Sequence, residues 1–197
     1  MSADRTLRML RQYRTKQLFR LADFATLLGT EERTLRVELS RLVARGLVER
    51  VSHGLYANPF NPPGPDELAM ALKTPAYLSL ESALSRRGVL SQDPAAYTLV
   101  TTAGTYTFES RGRVFEYHHI QRAYFTGYTR EGTLLLAEPE KALADLVYLR
   151  HARTRELGAE RLASLVEDMD LNRLRPGGVR RYARMMGVEE RIGAFLG

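Results

Sequence analysis

Residues 21–57, LADFATLLGTEERTLRVELSRLVARGLVERVSHGLYA, decide how the N-terminal third folds. The stretch opens on a short apolar segment, 21–28, in which Leu21, Phe24, Leu27 and Leu28 share one helical stripe expected to be buried. Gly29 suits the left-handed conformation that ends a helix, and Thr30 is placed to cap the next one. Residues 31–45 then predict a longer helix. Its Leu35, Leu39 and Leu42 recur at i, i+4 and i+7 and must face a core. Gly46 stops that helix. Residues 47–51 and 55–57 alternate as strands around Ser52-His53-Gly54, where Gly54 can supply the positive φ of a three-residue hairpin turn. Two helices in tight succession followed by a hairpin predict a winged helix-turn-helix.

The longer helix carries the functional signal. At about 100° per residue, the side opposite the leucines presents Arg33, Val37, Ser40, Arg41 and Ala44, with Thr34 and Arg36 on its flanks. Small groups sit at the centre and guanidiniums surround them. A helix entering a DNA major groove needs low bulk beside the base edges and long donors for bases and phosphates. Arg50 and His53 would lie on the wing, within reach of phosphate or minor groove. Glu31 and Glu32 complement the helix dipole, though they would repel phosphate. Upstream, residues 4–18 predict a first helix, with Leu7, Leu10 and Tyr13 or Arg14 at helical spacing and Arg5, Arg8 and Arg11 along its edge.

Charge points the same way. Residues 1–60 hold eleven Lys/Arg against six Asp/Glu, whereas residues 61–197 hold eighteen against seventeen. The formal net charge of +6 therefore belongs mainly to the first third, where a polyanion is the expected partner. The excess of arginine over lysine, 26 to 3, carries little weight because codon composition can produce it.

Residues 58–65 (NPFNPPGP) contain four of the eight prolines and can join neither a helix nor a central strand. The expected division is a DNA-binding domain at 1–58, a stiff linker at 59–65 and a second domain at 66–197. Within the latter, helices are expected at 66–73, at 79–87 with Ser79 as cap, at 138–150, at 158–168, at 176–186 and at 188–196. Strands are expected at 97–102, 105–109, 113–119 and 133–136. The fold class is α+β: a winged helix-turn-helix, then a small mixed α/β domain with a C-terminal helical segment.

Composition narrows the chemistry. No apolar run approaches the ~18–20 residues that span a bilayer, and no signal-peptide core opens the chain, so a cytoplasmic protein is expected. The absence of cysteine excludes thiolate and disulfide chemistry, and four histidines make a zinc site a poor fit. His118 and His119, adjacent on a strand, point to opposite faces and cannot chelate one ion together; one should pack and one be exposed. Glu138, Glu140, Lys141 and Asp145 resemble an acidic nuclease centre, with Glu109 or Glu116 as further carboxylates. Their helical spacings fit dipole complementation and an ion pair equally well. Phosphate-binding glycine motifs and a nucleophile elbow are absent, Pro176-Gly177-Gly178 reads as a turn, and Ser79 and Ser82 have no evident base. No catalytic residue, metal or cofactor is expected.

Several blocks resemble the AbiE-type (AbiEi) antitoxins, the transcription-repressing members of type IV toxin–antitoxin pairs. They are the N-terminal unit ending in Gly54-Leu55-Tyr56, Tyr77 through Leu84 with Gly88, Tyr97 through Thr102, Phe115 through Ile120, and Ala137 through Leu146. The resemblance implies a repressor that binds inverted repeats in its own promoter. It further implies a second domain that neutralises a co-encoded nucleotidyltransferase-like toxin, with direct contact left open. Carried onto this sequence, the DNA contacts would be Arg33, Thr34, Arg36, Val37, Ser40, Arg41, Arg50 and His53. The chain departs from fuller members in its compactness after residue 150, which bears on the antitoxin role more than on repression. Two other classes compete: a ligand-responsive winged-helix regulator, and a metal-dependent nucleic-acid enzyme using Glu138, Glu140 and Lys141.

Overall fold

The computed structural model describes residues 3–151 and 166–196, and the chain divides into two compact units, Met1–Leu72 and Lys73–Gly197. The helix expected at 158–168 falls largely outside the described residues. Helices and sheets are mixed in both units.

The first unit runs α1 (Ala3–Gln12), β1 (Leu18–Arg20), α2 (Leu21–Leu28), α3 (Glu32–Ala44), β2 (Glu49–Ser52), β3 (Leu55–Ala57) and α4 (Pro65–Leu72). The three strands form an antiparallel sheet in the order β1-β3-β2. Its core gathers Leu10, Phe19, Phe24, Leu28, Leu35, Leu39, Leu42 and Tyr56. Phe24 packs edge-on to Tyr56 at 5.7 Å between ring centroids. Burying each such side chain is worth about 1.5–3 kcal/mol, so the leucine stripe of α3 fixes that helix against the rest. Leu27, expected in the α2 stripe, is 37% exposed instead. The helix α4 belongs to the first unit, on the far side of the Pro-rich stretch from β3.

The first helix is shorter than its spacing suggests. It stops at Gln12, and Leu18–Arg20 becomes the edge strand β1. Asn58 explains the change. Its fully buried amide donates to the carbonyls of Leu10 (3.1 Å), Tyr13 (3.3 Å) and Lys16 (2.9 Å), while its backbone N–H donates to Gln17. Leu10 lies in the last turn of α1, where carbonyls lack helical partners, and Tyr13 and Lys16 lie in the turn that follows. A polar side chain 42–48 residues away satisfies them and steers the chain into the sheet.

Local caps hold the two following helices. The Arg20 N–H donates to Asp23 Oδ2 (2.7 Å) at the start of α2. Gly29, at φ 56°, ends that helix in the left-handed region, and Arg5 donates to the Leu28 carbonyl (2.8 Å). Glu31, not Thr30, is the N-cap of α3; the Thr30 hydroxyl turns back to the Leu28 carbonyl. The hairpin also differs in detail. A bulge near Val51 shifts the register so that Ser52 pairs with Leu55, leaving a two-residue turn, His53-Gly54, with Gly54 at φ 71°. The Gly54 carbonyl accepts from Leu21 N–H (2.9 Å), tying the turn to the start of α2.

The second unit contains β4 (Ala76–Leu78), α5 (Leu80–Arg86), β5 (Ala96–Thr101), β6 (Tyr106–Ser110), β7 (Arg113–His119), β8 (Tyr128–Glu131) and β9 (Leu134–Ala137). These are followed by α6 (Pro139–Leu146), which continues as a π-helical turn over Val147–His151, then α7 (Pro176–Met186) and α8 (Glu189–Leu196). The sheet order is β6-β7-β5-β4-β9-β8. The central pair β4/β5 is antiparallel, each has a parallel outer neighbour, and each edge is an antiparallel hairpin. Strands β4 and β8 were not expected from sequence, and Pro176-Gly177-Gly178 opens α7 rather than making a turn.

Replacing Asn58 by Ala removes the amide donor from the Leu10, Tyr13 and Lys16 carbonyls. It is expected to destabilise the first unit by about 2 kcal/mol, read by chemical denaturation; a change below about 0.5 kcal/mol would refute the clamp.

Candidate nucleic-acid interface

Because Leu35, Leu39 and Leu42 are 0–1% exposed, the opposite side of α3 is forced outward. Arg33, Thr34, Arg36, Val37, Ser40 and Arg41 are all exposed, and Val37 is 52% exposed. Arg33, Thr34, Val37 and Arg41 line one shallow depression together with Arg45, a residue the sequence reading did not select. Its signal was present: Arg45 lies four residues after Arg41, the next position along the Arg33-Val37-Arg41 ridge. Among the described residues, the side chains of Arg33, Arg41 and Arg45 carry no hydrogen bond or ion pair. Glu38 also lines the depression, but its carboxylate accepts from the buried Thr6 hydroxyl (2.6 Å) and is drawn toward α1.

A second depression lies between α3 and the hairpin, lined by Arg36, Ser40, Val43, Arg50 and Tyr56. Arg36 is engaged by Glu32 one turn earlier (3.3 Å). Arg50 folds over the turn, with Nη2 3.1 Å from His53 Nδ1 and Nε donating to the Ser52 carbonyl (3.4 Å). The structure thus brings Arg33, Thr34, Val37 and Arg41 into one depression, and Arg36, Ser40 and Arg50 into its neighbour. His53 joins the second through Arg50 alone. Exposed pairs of this kind contribute little to stability, so these guanidiniums can exchange partners at small cost.

The acidic block of the second unit is built differently. Lys141 and Asp145 are completely buried and paired with one another. Asp145 Oδ2 also accepts from Tyr77 and Ser79 hydroxyls, each at 2.8 Å, and Lys141 donates to Tyr77 Oη (2.9 Å). Burial raises the Asp145 carboxyl and lowers the Lys141 ammonium from their ordinary values, each partner's charge opposing the shift. Burial, reinforced by Asp145, also raises the Tyr77 phenol, which stays protonated as a donor. Breaking such a pair by removing one member typically costs 3–5 kcal/mol. Ser79, expected to lack a partner of this kind, has a carboxylate beside it, yet one shut away from any substrate.

Glu140 is likewise enclosed, and the backbone N–H (2.9 Å), Nε (2.8 Å) and Nη2 (3.2 Å) of Arg175 converge on it. Gly178 lets this approach occur, since a Cβ there would lie 3.0 Å from Glu140 Cγ. Glu138 accepts from Tyr182 Oη (3.0 Å) and Arg181 (3.4 Å). Gly127, at φ +76°, leaves room for the same tyrosine, whose hydroxyl would be 2.6 Å from a Cβ. Glu116 lies 3.4 Å from His118 and 4.0 Å from Arg150, not with the Glu138–Asp145 block. His118 is half-buried, its Nε2 without a hydrogen bond; burial and Arg150 push it below its ordinary pKa. His119 is exposed. Among the described residues, no three His, Asp or Glu side chains are grouped to hold a metal ion. No helix there is long and apolar enough to cross a membrane.

Residues 7–59 match the family model described as a transcriptional regulator, AbiEi antitoxin. The match runs from within α1 through β3 and takes in both arginine-lined depressions. Over these residues the chain is similar to the AbiEi-type family of antitoxin regulators. A comparison with curated proteins found no match.

Burial alone would raise the Glu140 carboxyl, but Arg175 holds it below its ordinary value of 4.5. A carboxyl depressed on folding stabilises above its unfolded value, and that contribution is lost as pH falls through the folded value. Glu140→Gln should therefore be less stable than wild type at pH 7, with the gap closing between about pH 5 and 3. Denaturant titrations across that range check this; a gap that persists undiminished at pH 3 contradicts it.

Proposed function

We propose that the chain is a DNA-binding transcriptional repressor and antitoxin of a type IV toxin–antitoxin pair, cytoplasmic and without catalysis of its own. In this reading, residues 1–58 are a winged helix-turn-helix, α3 is its recognition helix and β2–β3 its wing. Beyond the Pro-rich stretch 59–65 and α4, which cluster with the first unit, the α+β antitoxin domain occupies the second unit, Lys73–Gly197. The carrying observation is the outward side of α3, where exposed Arg33, Val37 and Arg41 follow one another at successive turns opposite a buried leucine stripe. The order helix, strand, two helices and hairpin, closed by a three-stranded sheet, supports the winged arrangement.

The DNA contacts are Arg33, Thr34, Arg36, Val37, Ser40 and Arg41 on the helix, with Arg50 and His53 on the wing. The partner is double-stranded DNA carrying inverted repeats in the protein's own promoter, one protomer per half-site, with affinity falling steeply as salt rises. The family description supports regulation and an antitoxin role. Neutralisation of a nucleotidyltransferase-like toxin follows from the resemblance, with the second unit as its effector.

The rivals are supported less well. A nuclease would need its carboxylates free for metal and substrate, whereas Asp145 is engaged by Lys141, Tyr77 and Ser79, and Glu140 by Arg175. A metabolite sensor would need an apolar cavity, whereas the depression near Tyr97 in the second unit is lined largely by Ser82, Ser85, Arg86, Asp93 and Arg113.

Arg33→Ala combined with Arg41→Ala should weaken binding to the promoter fragment upstream of the gene by about 2–6 kcal/mol, at about 1–3 per base-reading arginine. Because both side chains are exposed, the thermal melt should be unchanged. Electrophoretic mobility shifts at moderate salt decide it; undiminished affinity of the double variant would overturn the assignment.

A further inference from the structure

Val37 is an anomaly on a surface that otherwise suits phosphate. At 52% it is the most exposed large hydrophobic side chain among the described residues. Rotation at about 100° per residue places it almost opposite the Leu35-Leu39-Leu42 stripe, so it points straight away from the core. Arg33 lies one turn before it and Arg41 one turn after, and the methyl-bearing Thr34 lines the same depression. Phosphate binding would use the guanidiniums and leave the valine idle in water. A surface with an apolar centre and a bidentate donor at each end has a closer match in the major groove. There the thymine C5-methyl is the one apolar feature, and guanine O6 and N7 are the acceptors arginine engages in pairs.

We infer that Val37 and Thr34 form a methyl-reading site for thymine, with Arg33 and Arg41 reading guanines on either side of it. This inference rests on α3 being the recognition helix. The geometry also sets the spacing. Eight residues of helix separate the arginines by about 12 Å at 1.5 Å per residue. At about 3.4 Å per base-pair step, that distance spans three to four steps. A half-site therefore carries a thymine, on either strand, bracketed by guanines within about four base pairs.

The test uses the full chain and a pool of random-sequence duplexes enriched by binding to it. The enriched duplex is synthesised with thymidine or with deoxyuridine, which removes the methyl group and nothing else. A parallel arm replaces guanine by 7-deazaguanine, which removes N7. For wild type, deoxyuridine should weaken binding about four-fold for each contacted methyl, the worth of one buried methyl-sized group. Val37→Ala should shrink the preference, leaving what Thr34 supplies, and Val37→Thr, which keeps a branched methyl, should retain most of it. The 7-deazaguanine penalty should shrink in Arg33→Ala and in Arg41→Ala. Equal binding of both duplexes by wild type, or an undiminished preference in Val37→Ala, would overturn the inference while leaving DNA binding in place. Failure of the chain to enrich any duplex would instead overturn the repressor reading itself.

Discussion

Leu35, Leu39 and Leu42 are buried against a core that also holds Leu10, Phe19, Phe24, Leu28 and Tyr56, and this burial dictates where every other residue of α3 points. A helix has no freedom to choose its outward side once its inward side is fixed. With three leucines committed, Arg33, Val37 and Arg41 must face solvent in a single line. Exposing a valine and three guanidiniums without internal partners does nothing for the fold. Their arrangement makes sense as preparation for something outside it.

The surrounding polar contacts keep that line in place. Thr6 restrains Glu38, the one acidic side chain in the depression, by drawing its carboxylate toward α1. Asn58 ends α1 and hands the chain to β1, and β1 pairs with β3 to close the sheet behind the helices. The Gly54 carbonyl ties the hairpin turn to the first residue of α2. In the second unit the same logic works toward rigidity instead of display. Asp145, Lys141, Tyr77 and Ser79 satisfy one another in the interior, and Glu140 anchors Arg175 at the entry to α7. Side chains that in sequence resemble a catalytic centre are the fastenings of a core.

Long, strongly periodic features were legible in the sequence. The leucine stripe of α3, the stops at Gly29 and Gly46 and the aromatic strands β5 and β7 all follow from spacing or turn chemistry. Short strands were not. Leu18–Arg20 and Ala76–Leu78 are too brief to show an alternating pattern, and their pairing partners lie tens of residues away. Leu18 also fits the helical spacing of Leu7 and Leu10, which favours a longer first helix until the contacts of Asn58 are known. Sequence-distant polar partners were equally hidden. Nothing local says that Ser79 serves Asp145 or that Arg175 serves Glu140, since those links are 66 and 35 residues long. In the candidate interface, the spacing told which side of α3 is exposed but missed Arg45 and the fold-back of Arg50 onto His53.

Hydrogen–deuterium exchange of the full chain, with and without a promoter duplex, tests the central claim most directly. If the outward side of α3 enters a groove and the hairpin follows the backbone, bound DNA should slow exchange across residues 32–54. The buried network around Lys141 and Asp145 should be left unchanged. Protection confined to residues 73–197, with α3 exchanging as in the free protein, would contradict the account.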